Sequence, residues 1–241
     1  MLNTSSYSKK RSLWKVFDRI ARRYDLLNRI LSFGLDQKWR RGISPFLPSK
    51  QKITLLDLAT GTADLPIALL GTSAQARFNR MIGMDMSDNM LTIGRLKVRQ
   101  KKYHDQILLK KGDAMSIPYP HHTFDAVSMA FGIRNVENPS ICLNEIYRVL
   151  KPNGKCLILE FSIPSSPFLR FFYRLYMKAM LPIIGGVLSG NFKAYQYLNS
   201  SIQEFPYGTA FCQLIEKSGF SDVKAVPFSG GIVTLYHGIK R

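Results

Sequence analysis

The stretch Ile53-Thr54-Leu55-Leu56-Asp57-Leu58-Ala59-Thr60-Gly61-Thr62-Ala63-Asp64 joins an apolar run to a turn carrying a glycine, two hydroxyls and a carboxylate. An apolar run of this length, bounded by turn residues, is a buried strand. Asp64–Leu70 then begins a helix, so the stretch is a strand–turn–helix unit.

The same alternation continues downstream. Met81–Asp85 is a second strand, followed by a helix over Ser87–Lys101. Ile107–Leu109 is a third strand, and Phe124–Met129 a fourth, with a helix near Pro139–Leu150. Cys156–Glu160 is a fifth. Strands alternating with helices imply a parallel sheet with helices on both faces. The end differs. Val223–Pro227 and Ile232–Ile239 are strands joined by Ser229-Gly230-Gly231, a hairpin signal. The expected fold is α/β and Rossmann-like: a mostly parallel seven-stranded sheet closed by an antiparallel C-terminal hairpin, the shape of class I S-adenosylmethionine-dependent methyltransferases. With 241 residues the chain supports one such core rather than two. Four segments make up this single domain: an N-terminal basic helical segment (1–50), a cofactor-binding core (51–162), a cap insertion (163–206), and a final helix with the hairpin (207–241).

Upstream, Ser12–Leu31 reads as an amphipathic helix. Leu13, Phe17, Ile20, Tyr24, Leu27 and Leu31 form one stripe, Ser12 is its N-cap and Gly34 its end. Asp36–Gly42 follows as a short basic segment. In the insertion, Phe168–Phe192 is aromatic and broken by Pro182, Gly185 and Gly186. Arg170, Arg174 and Lys178 recur every fourth residue there, the pattern of a helix lying on an anionic interface. A lid helix packed on the core accounts for it equally well.

Net charge is +18 and uneven: +10 over residues 1–52, +3 over 53–160 and +5 over 161–241. Such ends attract nucleic acid or anionic lipid, or simply keep the protein in solution. Met1–Lys10 has no apolar core behind it, so no secretory signal is expected. The uncharged stretch 179–192 is too short to span a bilayer. Cys142, Cys156 and Cys212 are widely spaced and read as reduced, buried thiols. No metal site is expected. His121 and His122 read as surface turn residues.

Ligands of a doubly wound sheet bind beyond the carboxyl ends of its strands. At the first such end, Gly61 allows close approach, while Thr62 and Asp64 offer a hydroxyl and a carboxylate. The G-x-G-x-x-G pattern that would cradle a pyrophosphate is absent. The carboxylate suits a cationic ligand without phosphate, and S-adenosylmethionine carries a sulfonium and an ammonium. An ordinary tight turn is the structural alternative. Asp85, 24 residues past Gly61 at the second strand end, suits the ribose hydroxyls, or else caps the next helix. Asp113 and Ala114 follow the third strand, where a carboxylate and a backbone amide can meet adenine.

The segments Tyr24-Asp25-Leu26-Leu27-Asn28, with Ser32, Gly34 and Trp39, and Arg148-Val149-Leu150-Lys151-Pro152-Asn153-Gly154, with Glu160 and Ser162, resemble the ubiquinone/menaquinone biosynthesis C-methyltransferases. So do Phe131-Gly132-Ile133-Arg134-Asn135 and Tyr197–Ile202 with Phe205-Pro206. The chain departs from the family's Gly-Gly-Thr-Gly-Asp loop in having Thr60-Gly61-Thr62-Ala63-Asp64. It also has Leu27, Asn153 and Ala130 where many members have Met, Gly or Met, and Ser. The resemblance implies contacts to S-adenosylmethionine from Thr62, Asp85, Asp113 and Ala114.

C-methylation needs alignment and a nucleophilic ring carbon. A quinol supplies the latter when its hydroxyl ionises, and a nearby cation stabilises that charge. Arg134 and Asn135, just past the fourth strand, are the candidate catalytic residues; the structural alternative pairs Arg134 with Glu137. The expected substrate is a lipid quinol: demethylmenaquinol first, a 2-methoxy-6-polyprenyl-benzoquinol as the alternative. The setting is cytoplasmic, peripheral on the inner face of an anionic membrane. Homodimerisation is left open and nucleic acid is not expected. An RNA-modifying enzyme is the rival from another class, but the Asn/Asp-Pro-Pro-Tyr/Phe motif of base amino-methylation is replaced by Ala130-Phe131-Gly132-Ile133, and no cysteine follows proline as in pyrimidine C5 enzymes.

Overall fold

A computed structural model describes residues 18, 21, 25–180 and 199–241. In chain order the elements are α1 (Leu35–Arg41), β1 (Ile53–Leu58), α2 (Asp64–Leu70), β2 (Phe78–Asp85), α3 (Asp88–Gln100), β3 (Ile107–Lys111) and β4 (Phe124–Ala130). They continue with α4 (Pro139–Val149), β5 (Leu150–Phe161), α5 (Pro167–Leu175), α6 (Thr209–Lys217), β6 (Ser221–Phe228) and β7 (Val233–Ile239). The sheet order is β3-β2-β1-β4-β5-β7-β6. β1 to β5 pair in parallel, and β7 runs antiparallel to both β5 and β6. The expected seven strands and the C-terminal hairpin are all present.

Side-chain alternation along β1 builds the two faces. Ile53 and Leu55 enter the cluster under α1, α2 and α3, with Trp39, Leu69 and Val98. Leu56 and Leu58 enter the opposite cluster with Leu143 and Ile146 of α4 and Phe211 and Ile215 of α6. Each fully buried Leu or Ile contributes roughly 1.5–3 kcal/mol. The same parity puts Asp57 on the first face, and Ser128, its register partner on β4, beside it.

Two elements and one cysteine differ from expectation. Leu35–Arg41 is a helix rather than an irregular basic segment: Asp36 in its first turn and basic residues in its last complement the helix dipole. β5 starts at Leu150 rather than Cys156, because the register with β4 shifts and loops out Pro152-Asn153-Gly154. Cys142 and Cys156 are buried, but Cys212 is only partly so. His121 and His122 are exposed in a turn. Of the amphipathic N-terminal helix, residues 25–31 are helical and Leu27 is buried. Ser12, Leu13, Phe17, Ile20 and Tyr24 lie outside the described residues, as do residues 181–192 of the aromatic insertion. The helix ends in a Schellman turn: Phe33 N–H donates to Ile30 and Gly34 N–H to Arg29. Phe33 and Gly34 both have positive φ, at 53° and 75°. Among the described residues no helix is long and apolar enough to cross a membrane.

Candidate active site

Sheet order reverses between β1 and β4, and the carboxyl ends of those neighbours open the crevice where doubly wound folds bind ligands. Gly132, after β4, is packed so closely that a Cβ there would come 2.6 Å from Ala59 Cβ, after β1. The loop after β1 is strained in a way its sequence does not advertise. Ala59, Gly61 and Ala63 have φ of 48°, 55° and 65°, so two alanines hold the left-handed conformation glycine adopts at no steric cost.

Asp85, at the end of β2, ties this loop to the start of α3. Its Oδ2 accepts from Gly61 N–H at 2.8 Å and its Oδ1 from Ser87 N–H at 2.9 Å. It is not the helix cap: Ser87 is, its hydroxyl accepting from Met90 N–H. Burial pushes the Asp85 carboxyl above its ordinary range, against the lowering effect of the Ser87, Gly61 and Met86 amides. After β3, Asp113 Oδ1 accepts from Met115 N–H at 2.9 Å, and Ala114 packs beside it against the second core cluster.

Thr62 and Asp64 meet at a lysine. Lys97 Nζ, from α3, binds Thr62 Oγ1 at 2.9 Å, Asp25 Oδ2 at 2.7 Å and Asp64 Oδ1; Thr62 Oγ1 itself donates to Asp25 at 2.6 Å. The loop's charge is therefore partly neutralised from within. Asp64 Oδ2 remains buried without a partner. A Cβ on Gly61 would meet nothing within 4 Å. An unpaired carboxylate oxygen, open space over a glycine and carboxylates with spare lone pairs at two further strand ends fit a ligand with an ammonium and hydroxyls. They offer no cradle for phosphate.

The N-terminal helix adds to this site. Asp18 accepts from Ser87 Oγ at 2.5 Å and from Asn89 Nδ2 at 2.8 Å. Asp18, Asp25 and Asp36 are the three acids among residues 1–52, and all are engaged; Asp36 holds Arg29 and Arg40. Sequence reasoning missed Asp18, Asp25 and Lys97. The available signal was two acids seven apart, hence on one helix face, in an otherwise basic segment. Asp57 was also passed over. Buried beneath the loop and accepting from Ser128 Oγ at 2.7 Å, its carboxyl is pushed by burial up to about 7.

Arg134 and Asn135 lie in a 3-10 turn after β4. Arg134 is buried, and its partner is Glu160 at the end of β5 rather than Glu137. Arg134 Nη1 binds Glu160 Oε1 and donates to Phe131 O at 2.8 Å. Asn135 Nδ2 lies 3.5 Å from the same carbonyl. Phe131 has φ 59°, a further strained residue at a strand end. Its ring lies 4.7 Å from that of Phe161, and Arg134 Cζ stands 5.3 Å from the Phe161 centroid. Leu27, Tyr173, Met177 and Ile202 pack together over Phe161, joining the N-terminal helix to the cap. The structure thus collects Gly61, Thr62, Asp64 and Asp85 at one strand-end cluster and Arg134 with Asn135 at the adjoining one, with Asp113 and Ala114 at the third strand end.

Residues 5–240 match the ubiE/COQ5 methyltransferase family. The chain is 42% identical over 225 residues to the ubiquinone/menaquinone biosynthesis C-methyltransferase UbiE of Syntrophotalea carbinolica, covering 93% of this chain and 92% of that one. It is 40% identical over 223 residues to the demethylmenaquinone methyltransferase of Thermus thermophilus, covering 92% and 99%. Among solved structures, a Thermotoga maritima S-adenosylmethionine-dependent methyltransferase, described as a possible histamine N-methyltransferase, superposes with TM-score 0.66 at 18% identity, over 95% of this chain and all of that one. At that identity the likeness speaks for the fold alone.

Proposed function

The chain belongs to the ubiE/COQ5 methyltransferase family and is an S-adenosylmethionine-dependent C-methyltransferase of quinone biosynthesis, and from that premise we propose that its substrate is demethylmenaquinol. The observation that carries this reading is the buried Arg134, its guanidinium over the Phe161 ring that in turn packs on Phe131, at the strand end beside the cofactor loop. A fused aromatic ring system suits that wall, and the guanidinium suits a ring oxygen gaining negative charge. The relative in Thermus thermophilus, named for demethylmenaquinone, supports the same choice. A benzoquinol is the second reading, favoured by the double name of the Syntrophotalea relative.

Bound S-adenosylmethionine supplies a methyl group on a sulfonium, a good leaving group. Residues 51–162 would hold it: Asp85 would accept from the ribose hydroxyls, the unpaired Asp64 Oδ2 from the ammonium, Thr62 and the Gly61 backbone would line the methionine end, and Asp113 with Ala114 N–H would meet adenine. Arg134 and Asn135 hold the quinol oxygen. The sulfonium would supply the methyl to the ring carbon and would leave as a neutral thioether that keeps the carbon–sulfur electron pair. The ring proton would then pass to water and the ring oxygen would regain one, which restores the aromatic quinol. The protein's contributions are alignment and charge stabilisation.

The cap, within residues 163–206, faces a membrane in this reading. Phe168, Phe171, Phe172 and Leu175 on α5 are 75%, 65%, 50% and 53% exposed. Arg174 and Lys178 flank them, while Arg170 is turned back onto the Pro164 and Ser165 carbonyls. The Phe33 and Tyr176 rings, 6.0 Å apart, make this face continuous with exposed Leu26, Ile30 and Phe33. Aromatics ringed by cations suit an anionic lipid surface. An assay with labelled S-adenosylmethionine against short-chain demethylmenaquinol, a 2-methoxy-6-prenyl-benzoquinol and bulk RNA tests the function. Label should enter the naphthoquinol fastest; label in RNA alone overturns the reading.

A further inference from the structure

Two buried donors near the strand ends of β4 and β5 lack acceptors. Tyr173, on α5, is 7% exposed, and its hydroxyl has no hydrogen-bond partner. Arg134 is 5% exposed, and although its Nη1 is engaged twice, its Nε has no partner. They share one neighbourhood. Tyr173 packs with Phe161, whose ring lies 5.3 Å from Arg134 Cζ, and the phenol lies within the electrostatic reach of both Arg134 and Glu160. Glu160 does not use either donor: its Oε1 takes Arg134 Nη1 and Phe161 N–H.

Burying a hydroxyl or a guanidinium N–H unpaired costs free energy, and native proteins rarely leave such groups orphaned without a role. Phenylalanine would fill the Tyr173 site among Leu27, Met177 and Ile202 at no such cost. The oxygen atom is therefore what packing leaves unexplained. Both orphans are donors, so the missing partner is an acceptor.

We propose that Tyr173 Oη and Arg134 Nε are the two donors of one oxyanion site that receives a ring oxygen of the quinol, which makes Tyr173 a further catalytic residue. The inference rests on the quinol reading above. It adds a neutral donor from α5 to the cation that follows β4, so two separate elements share the oxygen. Burial pushes the Tyr173 phenol well above its ordinary range, so it stays a donor throughout the working pH and does not compete as an anion. As the ring carbon is methylated, charge moves off the oxygen. Two preorganised donors stabilise the ionised quinol relative to the neutral one, whose proton passes to solvent water, so they raise the share of the nucleophilic form from which attack starts.

Tyr173→Phe in the full chain tests this. Turnover of short-chain demethylmenaquinol and kcat/KM should both fall about 10²-fold, the range for one lost oxyanion donor. S-adenosylmethionine affinity by calorimetry should be unchanged. The melting temperature of the ligand-free variant should equal or exceed that of the wild type, because an orphan is removed. Full turnover in Tyr173→Phe, beside an active wild type, overturns the role of Tyr173 alone. A melting temperature that falls with activity shows a hydroxyl serving the fold through water and also overturns it. A wild type that binds S-adenosylmethionine yet methylates no quinol overturns the quinol reading, and this role with it.

Discussion

Lys97 Nζ of α3 lies 2.7 Å from Asp25 Oδ2 of the N-terminal helix, 72 residues away in the chain. The same ammonium binds Asp64 and Thr62 of the cofactor loop. One cation thus fastens the first helix to the loop and compensates two carboxylates that would otherwise repel. Asp18 makes the second attachment, at the start of α3. The helix that contributes Leu27 to the cap packing therefore also walls the proposed cofactor site.

Lys97→Met should separate these parts. It keeps the apolar stem but leaves Asp25 and Asp64 facing each other. With the three side chains 24%, 29% and 11% exposed, the loss should be about 2 kcal/mol, below the 3–5 kcal/mol of a fully buried pair. Urea denaturation measures it, and adding Asp25→Asn should restore part. An unchanged midpoint means the cluster contributes nothing to the fold.

Asp85→Ala should cost S-adenosylmethionine roughly 2–4 kcal/mol of binding, the loss of charge-assisted hydrogen bonds to hydroxyls. Since Ser87 caps α3, the helix should survive, and the stability loss should be confined to the orphaned Gly61 and Ser87 amides. Calorimetry on the folded variant is the check. Wild-type affinity would leave Asp85 with a purely structural role.

Asp57→Asn should alter the pH dependence of stability. The folded carboxyl, at about 7, lies above its ordinary value of 3.8 because burial penalises the anion. Its contribution is thus fully present below about pH 4 and is lost as pH rises through about 7, a swing on the order of 4 kcal/mol. The amide is near-isosteric and can still accept from Ser128. Below about pH 4 the two proteins should be similar, and at pH 8 the variant should be the more stable. Denaturation curves that stay parallel from pH 5 to 8 would contradict this.

Apolar runs bounded by turn residues, alternating with helical stretches, made the sheet legible, and strand ends gave the places of Asp85 and Asp113. What stayed hidden came from long-range pairing. Nothing in Asp64-Leu65-Pro66 announces that Lys97 will neutralise it, and Glu137, three residues from Arg134, looked the nearer partner than Glu160. The parity of β1 would have placed Asp57 on a buried face, but only once the faces had been assigned. Leu35–Arg41 was obscured because Gly34 was read as the end of helical structure; here it closes one helix and is the N-cap of the next.

The α5 face gives a prediction about lipid. Phe171→Ser with Phe172→Ser should reduce flotation with anionic liposomes at every salt concentration, since exposed aromatics contribute the apolar part. Arg174→Gln with Lys178→Gln should instead flatten the dependence on anionic lipid and on salt. Equal recovery of the wild type with neutral and anionic liposomes would remove the electrostatic part of the proposal.

Arg134 is tested by lysine rather than alanine, and the reason lies in Glu160. Arg134→Ala would strand a fully buried carboxylate, a loss of about 3–5 kcal/mol, so any drop in turnover would mix unfolding with chemistry. Burial already pushes Glu160 above its ordinary range even with the guanidinium beside it; without a cation it would bury a proton instead. Arg134→Lys keeps a charge for Glu160 but loses the forked donor set and, with it, Nε. The fold should hold to within a few degrees in a thermal melt, and S-adenosylmethionine affinity should stay near the wild-type value. An interaction made mainly with the charge of the reacting ring should then lower kcat and kcat/KM together, by about 10²-fold. If Arg134→Lys turns over like the wild type, the guanidinium serves the Glu160 pair alone. If it loses the cofactor instead, Arg134 belongs to the binding loop rather than to the quinol oxygen.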